Sequence, residues 1–313
     1  MRLQVFIYLA LASLTFGEAH AQSSMALLNA LEKNDQQLVR DLLSQGADPN
    51  SADPEGDNAL MYAALYADPD CMKQLLEKGA DPNASNKLGE TPLMWCVEHV
   101  EKVKLLLAKG ANINARTKSG NTAFLIATVG NHCFDVLKLL LDHGADALAV
   151  NNKNETALNR AAPFADSLTI NLLLDKGIPI DSRDASGTTA LLSAVLNSNR
   201  EGVITLLKRG ANPDLADDFG DPLSAAVSMD DTSITFILLR TVKNVDVPDK
   251  GGHTPLMWAV YNEHDNPQVI EALIARGANI KAKAKDGSTA LSAALKKGNT
   301  QSVALLRKAG AKK

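Results

Sequence analysis

Eight turn residues recur along the chain at a nearly constant spacing: Gly56, Gly89, Gly120, Asn154, Gly187, Gly220, Gly252 and Gly287. Successive intervals are 33, 31, 34, 33, 33, 32 and 35 residues. A period near 33 restricts the fold to a stack of small units, each a turn followed by two short helices. Such a unit cannot bury its apolar face alone and must do so against its neighbours. Beyond each tip comes a residue able to accept first-turn N–H groups: Asn58, Thr91, Thr122, Thr156, Thr189, Asp221, Thr254 and Thr289. In the second unit Pro92 follows at the first helical position, where its missing N–H costs nothing.

The second helix of each unit ends as regularly as the first begins. Leu75-Leu76-Glu77-Lys78-Gly79-Ala80-Asp81 returns as Leu105-Leu106-Leu107-Ala108-Lys109-Gly110-Ala111-Asn112 and as Leu139-Leu140-Leu141-Asp142-His143-Gly144-Ala145-Asp146. Later copies end at Gly210-Ala211-Asn212 and Gly277-Ala278-Asn279. Glycine there can take the left-handed conformation that closes a helix. Basic residues gather in these last turns, at the negative end of the helix dipole.

The pattern G-x-T-P-L-x-x-A, followed by L-L-x-x-G-A-D/N-x-N, resembles the ankyrin repeat over roughly residues 24–311. The resemblance implies an all-α repeat solenoid, each unit a hairpin-like turn and an antiparallel helix pair. A capping helix pair over residues 24–46 and eight repeat units, the last a C-terminal cap, would form one domain spanning 22–313. The departures carry expectations of their own. Family members usually bear a histidine after Thr-Pro-Leu that bonds the neighbouring unit; here Met61, Met94, Asn159, Leu192, Ser224 and Met257 occupy it, so those bonds are expected to be absent. The second unit is short around Glu98-His99-Val100, which should tighten its inter-helix turn. The seventh is long through Asn262–Pro267, where a loop should protrude. Between Leu239 and Asp249 the Gly-Ala-Asp signature is lost, making that joint the least ideal. In the first helix pair, Leu27, Leu28, Leu31, Leu38, Leu42 and Leu43 are expected to form the apolar face.

Residues 1–21 read as a secretory signal peptide. Met1-Arg2 gives a positive start, Leu3–Phe16 is mostly apolar, and Ala19-His20-Ala21 offers a small-x-small cleavage site. That run is too short and wrongly flanked for a membrane span, and no later stretch approaches the necessary length. The expected product is an exported chain, in the periplasm first and outside the cell second, as the resemblance to secreted bacterial ankyrin proteins also implies. Three cysteines leave at least one unpaired. Cys71 and Cys96 read as buried thiols, with a bridge between them left open by the sequence.

No chemistry-bearing motif appears: neither GxSxG, HExxH, GxxxxGK[ST] nor a GxGxxG opening a helix occurs. The histidines outside the leader, His99, His132, His143, His253 and His264, show no metal-ligand spacing. Asp214, Asp217, Asp218 and Asp221 form the densest acidic group but do not follow a calcium-loop pattern. No catalytic residue, cofactor or metal is expected. A net charge of −4 argues against nucleic acid as the main partner. The charge is unevenly placed, for Lys281–Lys313 carries nine basic residues and one acid, a basic end that could touch an acidic surface.

The expected function is therefore a non-catalytic scaffold, a monomer, that binds another protein. The resemblance places the contact on the concave face, made of turn tips and first-helix ends. Tyr66, Lys87, Leu88, Glu90, Phe164, Asp218, Phe219 and Tyr261 are the candidate contacts. Tyr62, Trp95 and Trp258 read instead as core. An inhibitor or immunity-type protein blocking a toxin or enzyme, and an effector acting on host proteins, are the alternatives within this class.

Overall fold

The computed structural model describes residues 22–312 except 131–132, 219, 230 and 262–265. Residues 1–21, read above as a signal peptide, together with His132, His264, Phe219 and most of the long seventh-unit loop, thus lie outside the described residues. Two compact units divide the chain, one ending at Asp146 and the other beginning at Ala147.

In the first unit, α1 (22–32) and α2 (Gln36–Ser44) form the opening pair. They are followed by α3 (Ala59–Leu65), α4 (Pro69–Glu77), α5 (Pro92–Trp95), α6 (Val100–Ala108), α7 (Ala123–Ala127) and α8 (Phe134–Asp142). First helices stack in one row, α3 on α5 and α5 on α7, and second helices in another, α2 on α4, α4 on α6 and α6 on α8. The second unit holds α9 (Ala157–Ala161), α10 (Ser167–Asp175), α11 (Ala190–Leu196), α12 (Arg200–Lys208) and α13 (Pro222–Ser228). It continues with α14 (Thr232–Leu239), α15 (Pro255–Tyr261), α16 (Pro267–Ala275), α17 (Ala290–Lys297) and α18 (Thr300–Lys308). There the same two rows run α9-α11-α13-α15-α17 and α10-α12-α14-α16-α18. Only isolated bridges such as Ala52 with Asn58 and Arg183 with Thr189 stand in for sheet among the described residues. The architecture is an all-α repeat solenoid.

Its core repeats as the sequence does. Two residues after each cap stand Leu60, Leu93, Phe124, Leu158, Leu191, Leu223, Leu256 and Leu291, all buried. The second helices contribute Leu75, Leu106, Leu140, Leu173, Leu206, Leu238, Leu273 and Leu306, also buried. All eight tip residues have positive φ, Asn154 among them at 57°. Asn154 tolerates this conformation better than most side chains, and its amide donates to Arg183 O at 2.8 Å. At Gly89 space as well as φ demands glycine, because a Cβ would lie 3.2 Å from the next turn's Lys118 N and 3.3 Å from Thr117 Cα. Six of the eight expected N-caps accept a first-turn N–H, from Asn58 with Met61 N to Thr289 with Ser292 N. Thr91 and Thr254 do not: their buried hydroxyls find no partner.

The aspartate or asparagine that ends the repeat signature proves to be a rung. Asn50 accepts Asp81 N–H at 2.8 Å and donates to Gly79 O at 3.3 Å. Asn83 does the same with Asn112 N–H and Gly110 O, and Asn114 with Asp146 N–H and Gly144 O. In the second unit Asp181, Asp214 and Asp246 hold this position, accepting from Asn212, Lys243 and Asn279 N–H. A carboxylate keeps the acceptor half of the rung and has no proton for the glycine carbonyl.

Four expectations need correction. Asn159 does bond the neighbouring repeat from the histidine position, donating to Ser182 O at 3.1 Å and Thr188 O at 3.4 Å. The short second unit loses its residues from the first helix rather than from the turn, since α5 is four residues long against seven in α3. Leu38 is exposed, because α2 turns its Val39–Leu43 stripe inward. Most of the basic residues sit one step beyond the last turn, at the C-cap, as Lys78, Lys109, Lys176, Arg209 and Arg276 do with His143, while Lys208, Arg307 and Lys308 lie in the last turn itself. They remain at the negative dipole end. The irregular joint after α14 lacks the Ala N–H to Leu O bond that closes its neighbours at 3.0 Å, as from Ala211 to Leu206. Val242 N–H closes on Leu238 O instead, at 2.9 Å, and Arg276 braces the joint from the next repeat, its guanidinium donating to Leu239 O and, at 2.8 Å, to Val242 O.

Candidate protein-binding surface

Most turns are gripped by their own first side chain. Asp53 Oδ1 accepts Glu55 N–H at 2.8 Å and Asp57 N–H at 2.9 Å. Asn86, Asn151 and Asp184 make the equivalent pairs with Leu88 and Glu90, Lys153 and Glu155, and Ser186 and Thr188. The backbone is then spent on the next turn: Lys87 N–H donates to Glu55 O at 3.0 Å, and Lys118 N–H to Leu88 O at 2.8 Å. With its polar backbone satisfied, the tip can turn its side chains outward. Leu88 is 61% exposed, and Lys87 reaches only to Glu55, at 3.7 Å on open surface.

In the first unit aromatic rings meet turn carboxylates. Tyr62 donates its hydroxyl to Asp53 Oδ2 at 3.1 Å and lies with its ring 6.0 Å from that of Tyr66. Burial, the Asp53 acceptor and the charges of Asp53, Asp57 and Glu32 push the Tyr62 phenol up to about 12. Trp95 donates its indole N–H to Glu90 Oε2 at 3.2 Å. Asn86 Nδ2 donates to that same Glu90 oxygen at 2.8 Å and to Asp57 Oδ1 at 2.7 Å. Tyr62 and Trp95, which the sequence pattern assigns to the core, are thus partly buried and turn their polar atoms to the turn face. Glu90 faces Trp95 and Asn86, while Tyr66, at the end of α3, is 47% exposed.

The second unit arranges the equivalent positions differently. Arg160 pairs with Glu155 at 3.1 Å, and Glu155 also takes the Asn151 amide at 2.6 Å. His253 Nδ1 lies 3.3 Å from both Asp249 carboxylate oxygens. Its ring centroid is 5.5 Å from that of Trp258 and 5.7 Å from that of Tyr261. Tyr261 is half-buried in this cluster with its hydroxyl 3.3 Å from Ser288 Oγ, so only part of it faces solvent. Trp258, also half-exposed, buries its indole nitrogen without an acceptor. Phe164 is 67% exposed, followed along the first-helix ends by Leu196 and Met229. Asp218 is exposed and pairs with Lys250.

The acidic residues from Asp214 to Asp221 go separate ways. Asp214 holds the Lys243 N–H, Asp217 takes the Thr188 hydroxyl at 2.8 Å, and Asp221 caps α13. Asp221 is buried and one of its oxygens has no partner; burial raises its carboxyl to about 6. Among the described residues no group of three or more His, Cys, Asp or Glu side chains is placed to hold a metal. No described helix is long and apolar enough to cross a membrane. Cys71, Cys96 and Cys133 are buried, with no disulfide among the described residues. The basic C-terminal stretch lines a groove of about 570 Å³, with Ile280, Leu291 and Leu295 for a floor and Lys281, Lys283 and Lys312 beside it.

The turn grip of Asp53, Asn86 and Asp249 is missed by the motif pattern, although an Asp or Asn three residues before each of these tips is there to see. Lys102 gives no signal in the sequence at all. Buried on α6, it donates to Ala63 O at 3.1 Å and Ala64 O at 2.8 Å, the carbonyls that end α3. Burial lowers its amine, against the opposing pull of Cys96, Asp68 and Cys71.

Relatives and a family pattern agree with this architecture. A family model of ankyrin repeats in three copies matches residues 27–117, 100–184, 124–217 and 218–313. The B-cell lymphoma 3 protein homolog of Mus musculus is 29% identical over 181 residues, 56% of this chain and 33% of its own length. An ankyrin repeat protein of Rickettsia felis is 31% identical over 139 residues, 43% of this chain and 45% of its own. The palmitoyltransferase ZDHHC13 of Danio rerio is 32% identical over 177 residues, 56% of this chain and 27% of its own. The chain therefore spans less than half the length of each of these relatives. Because the matched segments run almost from end to end and coincide with the stacked helix pairs, the chain belongs to the ankyrin-repeat family.

Proposed function

We propose that this chain is an exported, non-catalytic scaffold that binds another protein, as a monomer, through its turn tips and first-helix ends. Ankyrin repeats commonly mediate protein–protein interaction, which supports the general class. The observation that carries the reading is the outward display of large side chains from a backbone already bonded: Leu88, Phe164 and Tyr66 stand exposed on turns and helix ends. A preformed surface of this kind loses little entropy on binding, and aromatic side chains supply much of the energy of such contacts. Export rests on the composition of residues 1–21.

Site-specific photo-crosslinking in the native cell tests the surface. A photoreactive residue at Leu88 or Phe164 is expected to capture a protein, and one at Lys104 or Lys138, on the second-helix row, is not. Equal capture from both rows, or capture from the second helices alone, would reject the assignment. Fractionation tests export: a product beginning at Gln22 outside the cytoplasm is expected, and an uncleaved cytoplasmic chain contradicts it.

A further inference from the structure

The acid content of the first unit is concentrated. Residues 22–101 hold 14 Asp or Glu against five Lys or Arg, whereas 102–146 hold three against six. Of the acids in the first stretch, Asp53, Glu55, Asp57 and Glu90 lie on two successive turns. Asp57 and Glu90 are drawn onto a single amide nitrogen of Asn86, at 2.7 and 2.8 Å, which brings two like charges together. Neither Lys87 nor Lys102 does much to balance them. Lys87 touches only Glu55, with both side chains largely in solvent. Lys102 is turned inward to the α3 carbonyls. Beside this pair the Tyr62 phenol is raised by its burial first, and then by the Asp53 acceptor and the charges of Asp53, Asp57 and Glu32.

The same two repeats leave an apolar face uncovered. Leu65, Tyr66 and Leu88 are each about half exposed or more, and the more buried Tyr62 and Trp95 bring their polar atoms onto the Asp53 and Glu90 carboxylates. Exposed rings and carboxylates together favour one class of side chain, because a cation gains from the ring face and from the acid at once. We propose that the turn face formed by Asp53–Tyr66 and Asn86–Trp95 docks a basic, amphipathic segment of the partner protein, with Lys or Arg flanking a large apolar side chain. The sign of the surface disfavours an acidic segment and argues equally against a nucleic acid at this face. This inference rests on the protein-binding reading given above and names the chemistry of its partner.

Fluorescence anisotropy with two labelled peptides tests it: a Lys/Leu/Trp amphipathic peptide and its Glu/Leu/Trp counterpart, each titrated with the mature chain. Binding of the basic peptide is expected, weakening as salt rises, with the acidic peptide at least about tenfold weaker. The triple variant Asp53→Asn/Asp57→Asn/Glu90→Gln keeps the side-chain acceptors of both turns and should lose about tenfold in affinity. A control of equal charge change on the second-helix row, Asp41→Asn/Asp70→Asn/Glu101→Gln, should lose much less. Thermal unfolding followed by circular dichroism confirms that both variants fold. Equal binding of the two peptides, or equal loss in the two triple variants, would overturn the proposal. If crosslinks from Leu88 persist while the basic peptide shows no preference, this inference fails and the protein-binding reading stands. If no protein is captured from Leu88 or Phe164, the protein-binding reading itself fails.

Discussion

Thr91–Trp95 and Thr254–Trp258 are the same five residues, Thr-Pro-Leu-Met-Trp, one copy in each compact unit. The first copy forms α5, four residues long; the second opens α15, seven residues long. Both begin alike, with proline at the first helical position and the threonine hydroxyl idle. Past the tryptophan the two helices part: α5 stops at Trp95, whereas α15 runs on to Tyr261. The surroundings of the tryptophan differ as well. Glu90 receives the Trp95 indole N–H, while in the other copy the corresponding residue is His253 and the Trp258 nitrogen is left without an acceptor.

The carbonyls that end each first helix show the same economy by different means. Lys102 serves Ala63 and Ala64 in the first unit. In the second, Asn199 donates to Ala162 O and Ala165 O at 2.9 Å each, and Lys297 donates to Tyr261 O at 2.6 Å. A helix end without such a partner would bury unsatisfied acceptors.

The largest expected effect of breaking this pattern is at Lys102. Lys102→Ala should destabilise the chain by about 3 kcal/mol, since it strands the Ala64 carbonyl, weakens the bonding of Ala63 O and leaves a cavity. Chemical denaturation measures it, and a loss within about 0.5 kcal/mol would show that the amine contributes nothing net. Next comes the pair of buried caps, Asn58 and Asp221, neutral in one unit and acidic in the other. The folded Asp221 carboxyl titrates near 6, above an unfolded value of about 3.9. Its contribution is therefore present below about pH 4 and lost as pH rises through about 6. Unfolding free energies at both ends of that window should show Asp221→Asn losing about 2 kcal/mol less than wild type on going to neutral pH. Identical pH profiles would contradict the burial of that group as a charge.

Exchange at the tryptophans is smaller. His253→Glu should give Trp258 its missing acceptor and stabilise by about 1 kcal/mol, while Glu90→His should cost a similar amount. Opposite signs in thermal unfolding are the test. Smallest of all, Thr91→Ala and Thr254→Ala should each stay within about 0.5 kcal/mol of wild type. Thr122→Ala and Thr189→Ala, which remove hydroxyls that do cap, should cost about 1 kcal/mol each.

Much of the scaffold was legible because it depends on backbone conformation. Gly89 needs positive φ and has no room for a Cβ, and Thr122, Thr156 and Asp221 meet N–H groups three residues on. Such requirements are local, and spacing reveals them. What stayed hidden depends on a neighbouring repeat. Lys102 looks like any helix-surface lysine until α3 is stacked on α5 and α4 on α6. Asn159 is a histidine substitute only because the Ser182 and Thr188 carbonyls come within reach. Arg276 mends a joint more than thirty residues away in sequence. The candidate surface divides in the same way. Exposure of Tyr66, Leu88 and Phe164 followed from position in the repeat, whereas the engagement of Glu90 by Trp95 and of Tyr261 by His253 comes from side chains meeting across the turn.

The most direct test is hydrogen–deuterium exchange of the chain with and without a partner captured by the crosslinking above. Slowed exchange is expected at the tips around residues 53–57 and 86–90 and at the end of α3, with α4 and α6 unchanged. Protection confined to α4 and α6, with the tips unaffected, would contradict the assignment of the turn face as the binding surface.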